Sequence, residues 1–225
     1  MKKKTLQEHS KNYRTHIKLY EEFKKAEDHK ETVLSFLKNA AKNKVVLDLG
    51  CGEGRDAKVI APLSKYYYAL DSSPEQLKRA KNQCKNIKNI HFLHSSGEKI
   101  GLPNESVDLV ICSWVISVIN GRRRKLRVLA EVERVLKATG KVILVENDWQ
   151  GEFEEIRQHP IRTKRFNEWL IKKGFKISKK MHTYFEFPSY EIAKRVFEQI
   201  WGKRVSNKLK SKKVEHKIII FNKTK

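Results

Sequence analysis

The chain has 225 residues, room for one sizeable domain with a full apolar core. Its 39% hydrophobic and 33% charged residues read as a soluble globular protein, and the longest uncharged apolar run, Leu109 to Asn120, is too short to cross a bilayer as a helix. A net charge of +23, from 49 basic and 26 acidic residues, raises nucleic acid or an anionic surface as a partner. The cations are spread along the chain, however, and only Lys203 to Lys217 and Arg122-Arg123-Arg124-Lys125 are local concentrations, so solvated helix faces are the favoured reading. Cys51, Cys84 and Cys112 form no CxxC pair and no ligand cluster with the histidines, which argues against a disulfide scaffold, an iron–sulfur centre or any other metal site. Met1-Lys2-Lys3-Lys4 runs into polar Thr5-Leu6-Gln7-Glu8-His9 rather than an apolar stretch, so no signal peptide is expected and the cytoplasm is the expected location.

The first 40 residues read as helix, with Tyr13, Ile17, Tyr20 and Phe23 and then Val33, Leu34, Phe36 and Leu37 at three- and four-residue spacing. Val45 to Leu49 is a short apolar strand, followed by glycines and a helix from about Asp56 to Leu63. Tyr66 to Leu70 is a second strand, and Ser73-Pro74-Glu75-Gln76 opens a helix with a capping residue and Pro at its first position. Ile90 to Leu93 and Val107 to Cys112 are further strands, then a helix over Leu126 to Leu136 ends near Gly140 and Lys141 to Val145 is a fifth strand. Apolar strands alternating with helices indicate a parallel sheet covered on both faces. The last third reads as a helix over Arg162 to Lys173 stopped by Gly174, an extended Phe175 to Phe187, a one-faced helix Tyr190 to Trp201 and a final strand His216 to Asn222. The expected organisation is one domain, residues 41–225, preceded by an N-terminal helical lid segment over residues 1–40.

The most informative segment is Val45-Val46-Leu47-Asp48-Leu49-Gly50-Cys51-Gly52-Glu53-Gly54-Arg55. A buried strand runs into three alternating glycines, which permit positive φ and close approach of backbone to a ligand. The turn lies at the end of a parallel strand, where open α/β sheets bind their ligands. The spacing is not that of the dinucleotide fingerprint, because the third glycine falls one residue early and Asp48 stands inside the strand. A nicotinamide oxidoreductase is therefore disfavoured. The second strand leads into Asp71, placed to accept from ribose hydroxyls and to repel a 2′-phosphate.

From here the chain resembles the class I S-adenosylmethionine-dependent methyltransferases, and in particular the small-molecule group that includes the ubiquinone and menaquinone biosynthesis enzymes. The likeness covers roughly residues 30 to 150. It rests on Asp48 to Gly54, on Asp71, on Ser95 to Pro103, on Ser106 to Val110 and on Leu129 to Lys141, five motifs in the family's order. The resemblance implies a Rossmann-like three-layer α/β sandwich, with a mostly parallel seven-stranded sheet and an antiparallel last strand. It implies S-adenosylmethionine as cosubstrate and S-adenosylhomocysteine as product.

Carried over position by position, the cosubstrate would be held by Asp48, Gly50, Cys51, Gly52, Gly54, Asp71, Ser72, Ser96, Gly97, Glu98, Cys112, Ser113 and Trp114. Cys51 is equally a small residue of a tight turn, Cys112 a core residue, and Trp114 either a cover on the adenine or plain packing. Arg55 either pairs with the methionine carboxylate or lies in solvent. Asp71 serves the ribose, or caps the following helix, or does both. The sequence departs from the family at Ser96, where an acid usually accepts from the adenine amine; Ser96, the Gly97 N–H or Glu98 would cover that edge instead.

Methyl transfer from a sulfonium needs alignment more than it needs acid–base chemistry. Should the acceptor need deprotonation, His182, His159, Tyr184 and Glu146 are the candidate bases. Cys112-Ser113-Trp114-Val115 stands where exocyclic base-amine methyltransferases carry a Pro-Pro element, so a small molecule or short peptide is the expected acceptor. Its expected walls are the N-terminal helix, Asn147-Asp148-Trp149 and the aromatic stretch around Tyr184. RNA, supported by the charge, is the alternative acceptor, and a non-catalytic S-adenosylmethionine-binding protein is the alternative outside enzymes. The sequence leaves the oligomeric state open.

Overall fold

The structure, a computed structural model, describes residues 17–27 and 32–225. They sort into two compact units, residues 34–146 with 221–225, and the described residues before 34 with 147–220.

The first unit opens in α2, Thr32–Ala41, and holds β1 (Val45–Leu49), α3 (Ala57–Ile60), β2 (Tyr66–Asp71), α4 (Pro74–Gln83), β3 (Ile90–His94), β4 (Val107–Ser113), α5 (Arg122–Val135) and most of β5 (Leu136–Asn147). Pairing is parallel for β1 with β2, β1 with β4, β2 with β3 and β4 with β5. Val46, Leu47, Leu49, Leu109, Val110, Ile111, Val142, Ile143, Leu144 and Val145 are all buried, the continuous apolar reading of strands covered on two faces.

The second unit holds α1 (Ile17–Ala26), α6 (Glu152–Arg157), α7 (Pro160–Lys172), β6 (Lys176–Glu186), α8 (Tyr190–Trp201), α9 (Lys203–Ser206) and most of β7 (Lys213–Thr224). Its core is aromatic: Phe23 stacks on Phe185 at 4.6 Å, and Phe153, Phe197 and Trp201 close around them. Phe23 of the N-terminal stripe is thus a packing residue. Tyr13, and the side chain of Tyr20, lie outside the described residues.

The seven strands form one sheet in the order β3-β2-β1-β4-β5-β7-β6. The Lys225 N–H donates to the Gly140 carbonyl and the Asp148 N–H to that of Lys217, so the partners run in opposite directions and β7 is antiparallel to β5. Thr183 Oγ1 donates to the His216 carbonyl and the Phe187 N–H to that of Lys212, which makes β7 antiparallel to β6 as well. The expected seven-stranded sheet with an antiparallel last strand is present.

Several boundaries differ from the sequence reading for local reasons. The helix after the glycines is one α-turn, continued by a 3₁₀ turn, Ala61–Leu63, that contains Pro62, a residue with no N–H to give an α-helix. The β5 strand starts at Leu136, directly after α5, because the expected turn is a bulge: Val107 pairs with Leu136 but Leu109 with Lys141. Gly140 fits there since a Cβ would lie 2.9 Å from the Lys137 carbonyl oxygen. The helices α6 and α9 have no strong period in the sequence and were not expected. Between β3 and β4 the described chain makes no helix.

Candidate functional site

The three glycines after β1 all adopt left-handed backbone, with φ of 81° at Gly50, 57° at Gly52 and 88° at Gly54. Their roles separate. A Cβ on Gly50 would stand 2.5 Å from Val115 Cγ2, and one on Gly54 would stand 3.0 Å from Cα and Cβ of Ala80 in α4. Gly54 therefore permits helix packing against the turn. The N–H groups of Gly50 and Cys51 both donate to the Leu70 carbonyl, at 2.7 and 2.9 Å, which ties the turn to the end of β2.

Asp71, at the end of β2, completes that tie. Its Oδ2 accepts from the Gly52 N–H at 2.9 Å and its Oδ1 from the Ser73 N–H at 2.8 Å. Each carboxylate oxygen keeps a second lone pair for a hydroxyl. The cap of α4 is Ser73, whose Oγ accepts from the Gln76 N–H, and not Asp71. Asp48 lies deeper, 4% exposed, and its Oδ2 accepts from Tyr67 Oη at 2.8 Å. Burial and the neighbouring Asp56 charge push its carboxyl up to about 7. Nothing in the sequence marked Tyr67 as its partner, because the pair meets only across the β1–β2 register. Cys51 and Cys112 are buried thiols, and burial pushes Cys112 well above the ordinary range. The Arg55 Nε donates to Asp56 at 2.8 Å, and Ser72 is exposed.

After β3, Ser96 is exposed, and a Cβ on Gly97 would press on Leu49 and Val128 at 3.3 Å. Glu98 turns to α5, where Arg124 and Arg127 each donate to one of its oxygens at 2.6 Å and hold its carboxyl below the usual range.

The end of β4 lies beside β1, at the point where strand order reverses and open sheets bind ligands. The buried Ser113 Oγ has no hydrogen-bond partner among the described residues. Trp114 follows with φ of 55°, a conformation strained for a bulky side chain and of the kind that collects at functional sites. Its N–H donates to the Val145 carbonyl at 2.8 Å, while the buried Glu146 accepts from the Ser117 N–H at 3.2 Å.

Of the four candidate bases, Glu146 lies in this unit and His182, Tyr184 and His159 in the other. His182 and Tyr184, on β6, lie close, with ring centroids 6.4 Å apart. His182 Nε2 is 3.0 Å from Glu215, and Lys213 Nζ lies over the Tyr184 ring at 4.2 Å. His159 is the N-cap residue of α7. A polar network that the sequence did not reveal occupies the same unit. The buried Glu154 accepts from Asn147 Nδ2, Arg157 Nη1 and Thr163 Oγ1 at 2.7, 2.9 and 2.7 Å. Asn147 Oδ1 bonds the buried His216.

The strand order, the antiparallel β7 and a glycine turn at the switch point define a Rossmann-like sheet of the class I methyltransferase type. Residues 47–144 match the family model of a methyltransferase domain. The chain is 30% identical over 104 residues to the uncharacterized methyltransferase YcgJ of Bacillus subtilis (strain 168), covering 45% of this chain and 40% of that protein. It is 29% identical over 144 residues to a demethylmenaquinone methyltransferase of Tropheryma whipplei (strain Twist), covering 57% of each. The chain thus spans about half the length of the curated relatives it matches. The crystal structure of YcgJ shares the fold with a TM-score of 0.60 at 19% identity, over 85% of this chain and 97% of that one. The N-methyltransferase NodS from Bradyrhizobium japonicum WM9, in complex with S-adenosyl-l-homocysteine, does so with 0.58 at 14%, over 88% and 87%. Among the described residues no helix is long and apolar enough to cross a membrane.

Proposed function

We propose that the chain is an enzyme that transfers a methyl group from S-adenosylmethionine to an O, N or S nucleophile of a small molecule or short peptide, by in-line displacement. The observation that carries this reading is the turn of three left-handed glycines, pinned by Asp71 Oδ2 and the Leu70 carbonyl, at the switch point of a methyltransferase-type sheet. The residues fit the cosubstrate. The Asp71 oxygens would take the ribose hydroxyls, Gly50 and Gly52 would let the turn approach the methionine part with no Cβ at those two positions, and Ser113 Oγ and Trp114 would meet the adenosine. When bound, S-adenosylmethionine supplies an electrophilic methyl on a sulfonium, which leaves without protonation. The protein's own part is to align the acceptor and exclude water, an effect that supplies about 7–11 kcal/mol. Where the acceptor is a hydroxyl or an ammonium, a base takes its proton, and His182, His159, Tyr184 and Glu146 are the candidates. The relatives named for menaquinone and N-methyl chemistry favour a small acceptor over a macromolecule.

Calorimetry on the purified chain should show binding of S-adenosylmethionine and S-adenosylhomocysteine; binding of NAD in their place would sink the reading. Incubation with labelled S-adenosylmethionine and fractionated extract should then move label into small molecules or peptides. Label found in RNA alone would transfer the acceptor to RNA, and cosubstrate binding with no labelled product would leave a binding protein.

A further inference from the structure

The net charge finds a use at a surface that the methyltransferase reading leaves idle. Segments 34–47, 57–70 and 76–97 together hold ten Lys and Arg residues and no Asp or Glu. They build the β1, β2 and β3 side of one unit. With no helix in the crossover from β3 to β4, the aromatic face of β2 and β3 stays partly open. Tyr66 and Tyr68 are same-face neighbours on β2, and His91 is the register partner of Tyr68 on β3, the edge strand. The Tyr66 and His91 rings stack at 4.9 Å and 25°, and the two tyrosine rings lie 5.0 Å apart. Both tyrosines are half-buried and His91 is exposed.

Register sets a row of cations at the strand starts, on positions that alternate with the rings. Val45 pairs with Tyr66 and Tyr67 with Ile90, so Lys44, Lys65 and Lys88 fall in one row across the starts of the three strands. The Lys65 N–H donates to the Lys44 carbonyl at 2.9 Å, and neighbouring strands stand about 4.8 Å apart. Lys65 and Lys88 are exposed. Open rings flanked by a track of cations are what an unpaired strand needs, because every base has a face to stack and every nucleotide a phosphate to neutralise. A duplex hides its base faces, and unpaired bases abound in RNA loops.

We propose that this face of β2 and β3 binds single-stranded RNA, with bases on Tyr66, Tyr68 and His91 and phosphates on Lys44, Lys65 and Lys88. It lies at the strand starts, the end of the sheet opposite the glycine turn, and does not depend on methyl transfer. The full chain is titrated into a short fluorescent oligouridylate and followed by anisotropy. Three phosphate contacts should weaken binding about twentyfold between ~50 and ~200 mM salt. Tyr66→Ala and Tyr68→Ala should each weaken it about tenfold, while Tyr66→Phe, which keeps the ring, should bind as the parent does. Lys65→Glu and Lys88→Glu, at exposed positions that leave the core untouched, should weaken binding and flatten the salt dependence. Circular dichroism and melting check that the alanine variants fold. Equal affinity for duplex RNA, indifference of the well-folded tyrosine variants, or absence of binding beside adsorption to vesicles of anionic lipid would each overturn the proposal.

Discussion

The glycine turn and the Glu154 network are two ways of fixing polar groups, and they fail differently. At the turn, backbone does the work: three glycines hold left-handed conformations that other residues rarely adopt, and carbonyl and carboxylate oxygens from β2 take the turn's N–H groups. In the 147–220 unit side chains do it, with the buried Glu154 gathering three donors beside an aromatic core. Backbone geometry is written in local spacing, while a side-chain network depends on which elements meet. The first should yield to a change of residue shape with little loss of fold. The second should lose stability first.

Gly52→Val tests the first half most severely. A branched side chain at φ of 57° is strained and would fill the space proposed for the ligand, so binding of S-adenosylmethionine should fall by more than about a hundredfold by calorimetry. Retained affinity would show that the turn does not touch the ligand. Glu154→Ala sharpens the other half. It strands three donors, Arg157 among them, and should cost about 3–5 kcal/mol in urea unfolding. An unfolding midpoint close to the parent's would mean that water replaces the carboxylate.

Asp71→Ala lies between the two cases. The loss of a charged acceptor should weaken cosubstrate binding by about 1.5–3 kcal/mol, one to two orders of magnitude. Because Gly52 and Ser73 also lose their acceptor, a smaller loss of stability should accompany it. A change of stability without a change of affinity would make Asp71 a purely structural tie.

The smallest expected effect is a pH dependence. Burial pushes His216 down from its ordinary 6.5 to about 3, so it stays neutral when folded. The unfolded chain binds that proton near pH 6.5, so the stabilisation is complete above that pH and is lost as pH falls toward 3. Between about pH 7.5 and 5 this group should remove about 2 kcal/mol. His216→Phe should flatten that part of the profile in thermal melts, and an unchanged slope would place the acid sensitivity elsewhere.

The sequence by itself determined the first half of the molecule well. Strand–glycine–helix order, Asp48, Asp71 and the Ser73-Pro74 helix start were all legible, because turn chemistry and strand burial act over a few residues. The start of β5 was misplaced because a bulge, set by pairing with β4, replaced the expected turn. Tertiary structure alone decided that Tyr67 is the partner of Asp48, that Glu98 belongs to Arg124 and Arg127, and that Glu154 organises a network with Asn147 and Thr163. It also decided that Lys44, Lys65 and Lys88, spread thinly along the chain, stand in one row. The physical reason is common to all of these. Periodicity and spacing report the conformation of a segment, whereas the partner of a side chain is fixed by strand register, and register joins residues that the sequence keeps far apart.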